Sequence, residues 1–221
     1  MKYQKIYDKS PIFFQNFMAT VYGYKAKRKR YGKYYYQYLR YLDKIHTYSR
    51  TELEKLQFEE LMKLLKHTVK NSKFYRELYK GIDINSFQSI DDLKKLPIVT
   101  KEMLRENMDE IITISKKEAI EGHTGGTTGK SLIVYNRLED NQKRMATLDY
   151  FKKKHGFINM KMKKATFMGK HIIPPPQKKK VFWRYNAAMK QMVYSSFHIT
   201  EENIPYYIES LNKFKPHAID G

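Results

Sequence analysis

A chain of 221 residues with 41% hydrophobic residues is long enough for one sizeable core or two small lobes, and its 19 Tyr and 12 Phe exclude a disordered tail. The absence of cysteine excludes disulfides, thiolate nucleophiles and Cys-ligated zinc together, and accords with a reducing, cytoplasmic setting. A formal net charge of +20 lies well above the magnitude of about 2 to 8 usual for a small domain.

About half of that excess sits at the start of the chain, where residues 1–50 hold twelve Lys/Arg and two acids. The stretch 11–48 reads as one or two helices interrupted near Gly32. Pro11 to Tyr24 carries Gln15 and Asn16 and shows no small-residue cleavage site after a compact apolar core, so no secretory leader is expected. Nor does any stretch approach the ~18 uncharged apolar residues of a spanning helix. Lys25-Ala26-Lys27-Arg28-Lys29-Arg30 is followed by Tyr31, Tyr34, Tyr35, Tyr36, Tyr38 and Tyr41. Such a segment suits peripheral contact with an anionic membrane, phosphate contacts and ring stacking on nucleic acid, or simply a helix solvated on one side and packed through tyrosines on the other. No nucleic-acid module accompanies it: there is no RNA-recognition aromatic signature, zinc finger or zipper.

Thr51-Glu52-Leu53-Glu54 matches a capping box and predicts a helix starting there. Phe58, Leu61, Met62, Leu65 and Val69 recur at helical spacing and form its core stripe; Tyr75 and Tyr79 extend it, and Gly81 ends it. Ser89 caps a short helix over Asp91–Lys95 that stops before Pro97, and Thr100 caps another over 101–107. Ile111-Ile112-Thr113-Ile114 reads as a short strand, with a second strand leading into His123.

Thr124-Gly125-Gly126-Thr127-Thr128-Gly129-Lys130-Ser131 gathers glycine backbone, hydroxyls and one cation within eight residues. Glycines let several N–H groups turn into one concavity that favours an anion, while the hydroxyls and Lys130 add donors and positive charge. The plainer alternative is a solvated hairpin loop, since Gly and Thr are ordinary turn and strand-end residues. A Walker A loop, and with it a P-loop NTPase as a third reading, is disfavoured because the spacing misses: counting back from Gly129-Lys130-Ser131, its first glycine belongs at position 124, which is Thr. A Walker loop also opens a helix, whereas Ser131-Leu132-Ile133-Val134-Tyr135-Asn136 has strand character, so the loop joins two strands.

A charged helix follows from Leu138 to Lys154 with Gly156 as its stop, then a buried strand at Ala165-Thr166-Phe167-Met168. Pro174 to Lys180 reads as a solvent-facing linker. Met192–Ser195 is a strand, Ile204, Tyr207, Ile208, Leu211 and Phe214 form a helix face, and His217–Asp220 is the next strand. Strands alternating with helices argue for an α/β class with a partly parallel, mixed sheet and flanking helices. The resulting division is a basic, Tyr-rich helical region at 1–50 and an α/β domain at 51–221. A last strand with no neighbour beyond it leaves exposed apolar edges that call for a partner.

Other candidate chemistry is sparse. His123 precedes the loop but has no acidic orienter in view, and His171 and His198 lack ligand spacing, so no metal site is expected. Ser195 and Ser196 do not sit in a nucleophile elbow, and Glu201-Glu202 read as first-turn charges of a helix.

The threonine-rich loop between strands resembles the phosphate loop of the adenylate-forming superfamily, whose usual form is Thr-Ser-Gly-Thr-Thr-Gly-Lys-Pro. Leu96-Pro97-Ile98-Val99-Thr100-Lys101-Glu102-Met103-Leu104-Arg105-Glu106 resembles the segment preceding that loop in the phenylacetate-CoA ligase branch. Ser195-Ser196-Phe197-His198-Ile199 and Lys215-Pro216-His217-Ala218-Ile219-Asp220-Gly221 look like later segments of that branch, above all of its CapK-type members linked to capsular polysaccharide synthesis. In place of the usual Ser and Pro stand Gly125 and Ser131, which removes one hydroxyl donor and one rigid strand start. The resemblance implies the first half of such an enzyme's large domain. It further implies that Thr124, Gly125, Gly126, Thr127, Thr128, Gly129 and Lys130 grip the phosphates of ATP, with a carboxylic acid as substrate and CoA as a candidate acceptor. Trp183 and Arg184 would either line the acyl side or pack in the core. The adenine, ribose and Mg-associated motifs and the mobile C-terminal domain with its catalytic lysine lie beyond Gly221 in the family pattern. The resemblance therefore implies a portion inactive alone, completed by a second chain, or else a non-enzymatic remnant.

Overall fold

The computed structural model describes residues 2–124, 131–174 and 179–221. It resolves into two compact units, Met1–Leu39 with Gln142–Gly221, and Arg40–Asn141. Among the described residues no helix is long and apolar enough to cross a membrane.

The unit Arg40–Asn141 is built on α4 (Arg50–Asn71). Its core stripe is the expected one: Leu65 is buried against Ile84 and Phe87, with Phe58, Leu61, Met62 and Val69 packed around them. The cap lies two residues earlier than the sequence pattern suggests. Ser49, not Thr51, starts the helix: its backbone N–H donates to Glu52 Oε2 at 2.7 Å, and its hydroxyl accepts from the Glu52 N–H at 3.3 Å. Both Ser49 and Thr51 have Glu three residues on; the earlier pair forms the cap, and Glu54 instead holds Arg50, at 2.5 Å. Ser72 ends α4 and caps α5 (Lys73–Leu78), its hydroxyl accepting from the Tyr75 N–H at 3.3 Å and donating to the Glu110 carbonyl at 2.8 Å. Gly81 takes φ +84°, the left-handed conformation that closes this run.

Ser89 caps a 3₁₀ turn over Ile90–Lys95, and Thr100 caps α6 (Lys101–Glu106) through the Met103 N–H at 3.2 Å. The strand expected at Ile111–Ile114 is absent. Ile111 instead closes α7 (Met108–Ile111), a single turn with Asp109 and Glu110 favourably placed at its start. A four-residue apolar run does not by itself separate strand from helix. The unit ends in an antiparallel hairpin of β1 (Ile120–His123) and β2 (Ile133–Asn136), the two strands expected to flank the loop.

The other unit carries a four-stranded mixed sheet of β3 (Lys164–Met168), β4 (Trp183–Asn186), β5 (Gln191–Ser195) and β6 (Ala218–Asp220), in the order β4-β5-β3-β6. Both neighbours of β3 run parallel to it, and β4 pairs antiparallel with β5. The crossover from β5 to β6 is α9 (Ile204–Phe214), laid on the sheet's aromatic face. There Ala165, Phe182, Tyr194 and Tyr207 are buried together, with Phe167, Trp183, Met192 and Leu211 around them. The Phe182 and Tyr207 rings stack at 5.6 Å, and Tyr207 donates to the Ser195 carbonyl at 2.7 Å.

Strand partners share a face, so the opposite face collects Lys164, Thr166, Arg184, Asn186, Gln191 and Asp220. Helix α2 (Ile12–Arg30), which follows α1 (Lys2–Lys9), covers the β4 side of this polar face. Gly23 permits the approach: a Cβ there would come within 2.2 Å of Asn186 Oδ1. The expected break near Gly32 separates α2 from α3 (Lys33–Ile45). Gln142 of α8 (Leu138–Lys154) satisfies both broken ends, donating to the Lys29 carbonyl at 3.0 Å and accepting from the Tyr34 and Tyr35 N–H groups at 3.1 and 3.4 Å. Gly156 stops the chain after α8 with φ +82°, as its position suggests.

Candidate functional site

The β1–β2 hairpin aligns Ile120 with Asn136 and His123 with Ile133, and beyond the last strand pair its neck is closed by hydroxyl chemistry. The Thr124 N–H donates to the Leu132 carbonyl and the Leu132 N–H to Thr124 Oγ1, both at 3.0 Å. Ser131 Oγ donates to the Thr124 carbonyl at 2.8 Å. Thr124 and Ser131 thus hold the two strand ends together, with Leu132 buried beneath. Gly125, Gly126, Thr127, Thr128, Gly129 and Lys130 lie outside the described residues.

Paired strand residues share a face, so Glu121, His123, Ile133 and Tyr135 lie on one side of the hairpin and Thr124, Gly122, Leu132 and Val134 on the other.

His123 does have an acidic partner, contrary to the sequence reading: its Nε2 is 2.9 Å from Glu121 Oε1, and both side chains are exposed. A carboxylate only accepts, so Nε2 carries the proton in this pair. The signal was present in the sequence as the period of two, which puts residues 121 and 123 on the same face of a strand. Lys116 stands over the Tyr135 ring at 5.7 Å and is ion-paired with Asp109.

The other candidates are placed elsewhere. Ser195 Oγ lies 2.8 Å from His198 Nδ1, but Ser195 is buried and the imidazole stacks on Phe182, with centroids 5.4 Å apart. His171 Nε2 is 3.6 Å from Asp8 Oδ1. Among the described residues no group of three or more His, Asp or Glu lies close enough to hold a metal ion.

Trp183 and Arg184 pack in the core. The Trp183 ring meets Tyr194 and Tyr207 at 5.8 and 6.3 Å. Arg184, only 1% exposed, donates from Nε to Gln15 Oε1 at 2.5 Å and from Nη1 to the Trp183 and Val181 carbonyls at 2.6 and 3.2 Å. Burial lowers its pKa from the usual guanidinium value, against the opposing influence of Tyr7. Glu201 and Glu202 precede the Asn203 cap of α9 instead of occupying its first turn. Lys180, 2.5 Å from Glu202, holds that carboxyl below its usual range. Pro174 and 179–180 are described, while 175–178 of the expected linker are not.

No family model matches the chain. It is 41% identical over 217 residues to Protein CapK of Staphylococcus aureus, an alignment that takes in 98% of this chain and 47% of CapK. It is also 35% identical over 97 residues to the phenylacetate-coenzyme A ligase of Escherichia coli (strain K12), 42% of this chain and 22% of the ligase. The ligase of the same name from Thermus thermophilus matches at 31% over 98 residues, again 42% and 22% of the two chains. The chain spans about half the length of CapK. It is similar to CapK along nearly its whole length and to the phenylacetate-CoA ligases over part of it, consistent with the N-terminal half of that branch.

Proposed function

We propose that the chain is the phosphate-gripping portion of an AMP-forming carboxylate ligase, contributing the first half of an adenylate-forming large domain and serving surface polysaccharide synthesis in the cytoplasm. The observation that carries this reading is the similarity to CapK over 98% of this chain, together with that to named phenylacetate-CoA ligases. The hydroxyl-clamped hairpin neck at Thr124 and Ser131 supports it, because it holds residues 125–130 as one short connection between antiparallel strands.

On this reading, the backbone N–H groups of Gly125, Gly126 and Gly129 and the hydroxyls of Thr124, Thr127 and Thr128 receive the β- and γ-phosphates of ATP. Lys130 offsets the negative charge that grows on the departing pyrophosphate as the carboxylate attacks the α-phosphorus. The acyl-adenylate so formed passes its acyl group to CoA or another acceptor. The Mg²⁺ that accompanies ATP takes its protein ligand from outside these 221 residues, as do adenine and ribose. These 221 residues supply the phosphate grip, and the remaining parts of the active site lie outside them.

Calorimetric titration of the 221-residue chain with Mg·ATP and with pyrophosphate tests this directly. The expected result is binding of both, weakened about tenfold or more by Lys130→Ala, the effect of losing one charge-assisted hydrogen bond of about 1.5 to 3 kcal/mol. Absence of binding, or equal affinity in the variant, removes the loop from this role.

A further inference from the structure

Helix α2 is mounted with its polar side inward. Gln15 and Gly23 are its buried positions, Asn16 Oδ1 accepts from the Tyr185 N–H at 2.9 Å, and Thr20 Oγ1 accepts from the Ala187 N–H at 3.1 Å. Its outward side carries Phe13, Phe17, Val21 and Tyr24 at i, i+4, i+8 and i+11, a single stripe. Phe13 is 74% exposed, Phe17 59%, Val21 52% and Tyr24 57%. Arg28 continues the stripe toward the helix end, and Lys25 and Lys29 border it. Beside them a shallow cleft of about 170 Å³ is lined by Tyr22, Lys25, Ala26, Lys29 and Arg30. The helix contains no Asp or Glu.

A surface helix left to water has the opposite arrangement, apolar side in and charged side out. An outward row of Phe, Val and Tyr continued and bordered by cations suits a helix lying in the plane of a bilayer interface, with its rings and Val at the acyl boundary and its cations at the phosphates. We propose that α2 seats the protein on an anionic lipid surface, with Phe13, Phe17 and Val21 entering the acyl boundary and Arg28, Lys25 and Lys29, on and beside the same stripe, meeting the lipid phosphates. A second copy of the chain is a poor occupant, since the same face of another α2 offers no acidic partner to Lys25, Arg28 and Lys29. Nucleic acid would satisfy the cations while leaving the Phe and Val stripe in water. The inference is independent of the phosphate loop and survives its failure.

The test is co-sedimentation of the full 221-residue chain with vesicles of phosphatidylcholine and of phosphatidylcholine mixed with phosphatidylglycerol. The chain is expected to sediment with the anionic vesicles and to remain in the supernatant with the neutral ones. Two variants separate the contributions, and both alter exposed side chains, with folding checked by circular dichroism. Lys25→Gln/Arg28→Gln/Lys29→Gln is expected to weaken binding about a hundredfold, at about 1 kcal/mol per cation near an anionic surface. Phe13→Ser/Phe17→Ser is expected to weaken it about tenfold or more and to abolish what remains at about 1 M salt, where screening removes the charge contribution. The proposal is overturned if anionic vesicles are ignored, or if the Phe variant binds as tightly as the parent, which would reduce the effect to nonspecific charge. It is equally overturned if the Phe variant converts a dimer to a monomer in analytical ultracentrifugation, because the stripe would then face a second copy.

Discussion

Buried amides make the decisive single-residue contributions in the unit that holds the sheet. The Gln142 side chain replaces a missing turn of backbone: one end accepts from Tyr34 and Tyr35 N–H groups, the other donates to the Lys29 carbonyl. Gln15 gives the enclosed Arg184 guanidinium an acceptor that water cannot supply. Asn159 bridges the Tyr31 hydroxyl and the Asp149 carboxylate at 3.0 and 2.8 Å, and Tyr35 donates to the same carboxylate at 3.0 Å. Burial, then the charge of Asp149, drives the Tyr35 phenol far above its usual pKa, so it stays a donor. Gln142→Leu keeps the volume but strands the Lys29 carbonyl and the α3 N–H groups. Stability should fall by roughly 1 to 3 kcal/mol, read as a lower urea midpoint with an unchanged slope. None of these pairings was legible beforehand, since a glutamine in a helical pattern does not announce which helix end it will reach.

Among the elements, the amphipathic stripe of α4, the α8 helix and the β1–β2 hairpin follow from local pattern alone. The cap of α4 does not, because Ser49-x-x-Glu52 and Thr51-x-x-Glu54 are equal as patterns and differ only in what the glutamates do next. Ser49→Ala should therefore destabilise the protein by about 1 kcal/mol, while Thr51→Ala should leave the thermal midpoint essentially unchanged. The reverse outcome would restore the cap to Thr51. Strand β4 escaped notice although its Trp-Arg-Tyr-Asn order alternates with a period of two. It breaks the ordinary rule that polar residues of a strand face water: Arg184 and Asn186 are the buried pair. Conversely, Ile111–Ile114 looked like a strand and is not one, since Asn107 and the acids after it favour a helical turn.

The molecule as a whole is strongly cationic, so its few enclosed carboxylates matter to its behaviour in acid. Asp220 shows the balance: burial acts to raise its pKa, but the Lys152 and Thr166 hydrogen bonds and the Lys164 charge prevail and lower it. A carboxyl held below its unfolded value adds stability that is present above about pH 4, the ordinary aspartate range, and is lost as pH falls through the lower folded value. Asp220→Asn should accordingly flatten the loss of stability in acid, with urea midpoints at about pH 7 and about pH 3 closer together than in the parent. A parallel drop in both proteins would show that Asp220 carries none of the acid sensitivity.

By itself the sequence determined the α/β class, the caps of the short helices, the hairpin that carries the threonine-rich loop, and the kinship with CapK and the phenylacetate-CoA ligases. The class, the caps and the hairpin rest on residues a few positions apart, where spacing dictates which side chains share a face or a turn; the kinship rests on the resemblance of whole motifs. Only the tertiary structure decided that α2 turns Gln15, Asn16 and Thr20 inward, that Arg184 is enclosed, and that Gln142 bridges the helix break beside Tyr34, 108 residues away from it in the chain. Such pairings depend on donors and acceptors brought together from distant parts of the chain, and a buried polar group takes whichever partner the packing delivers.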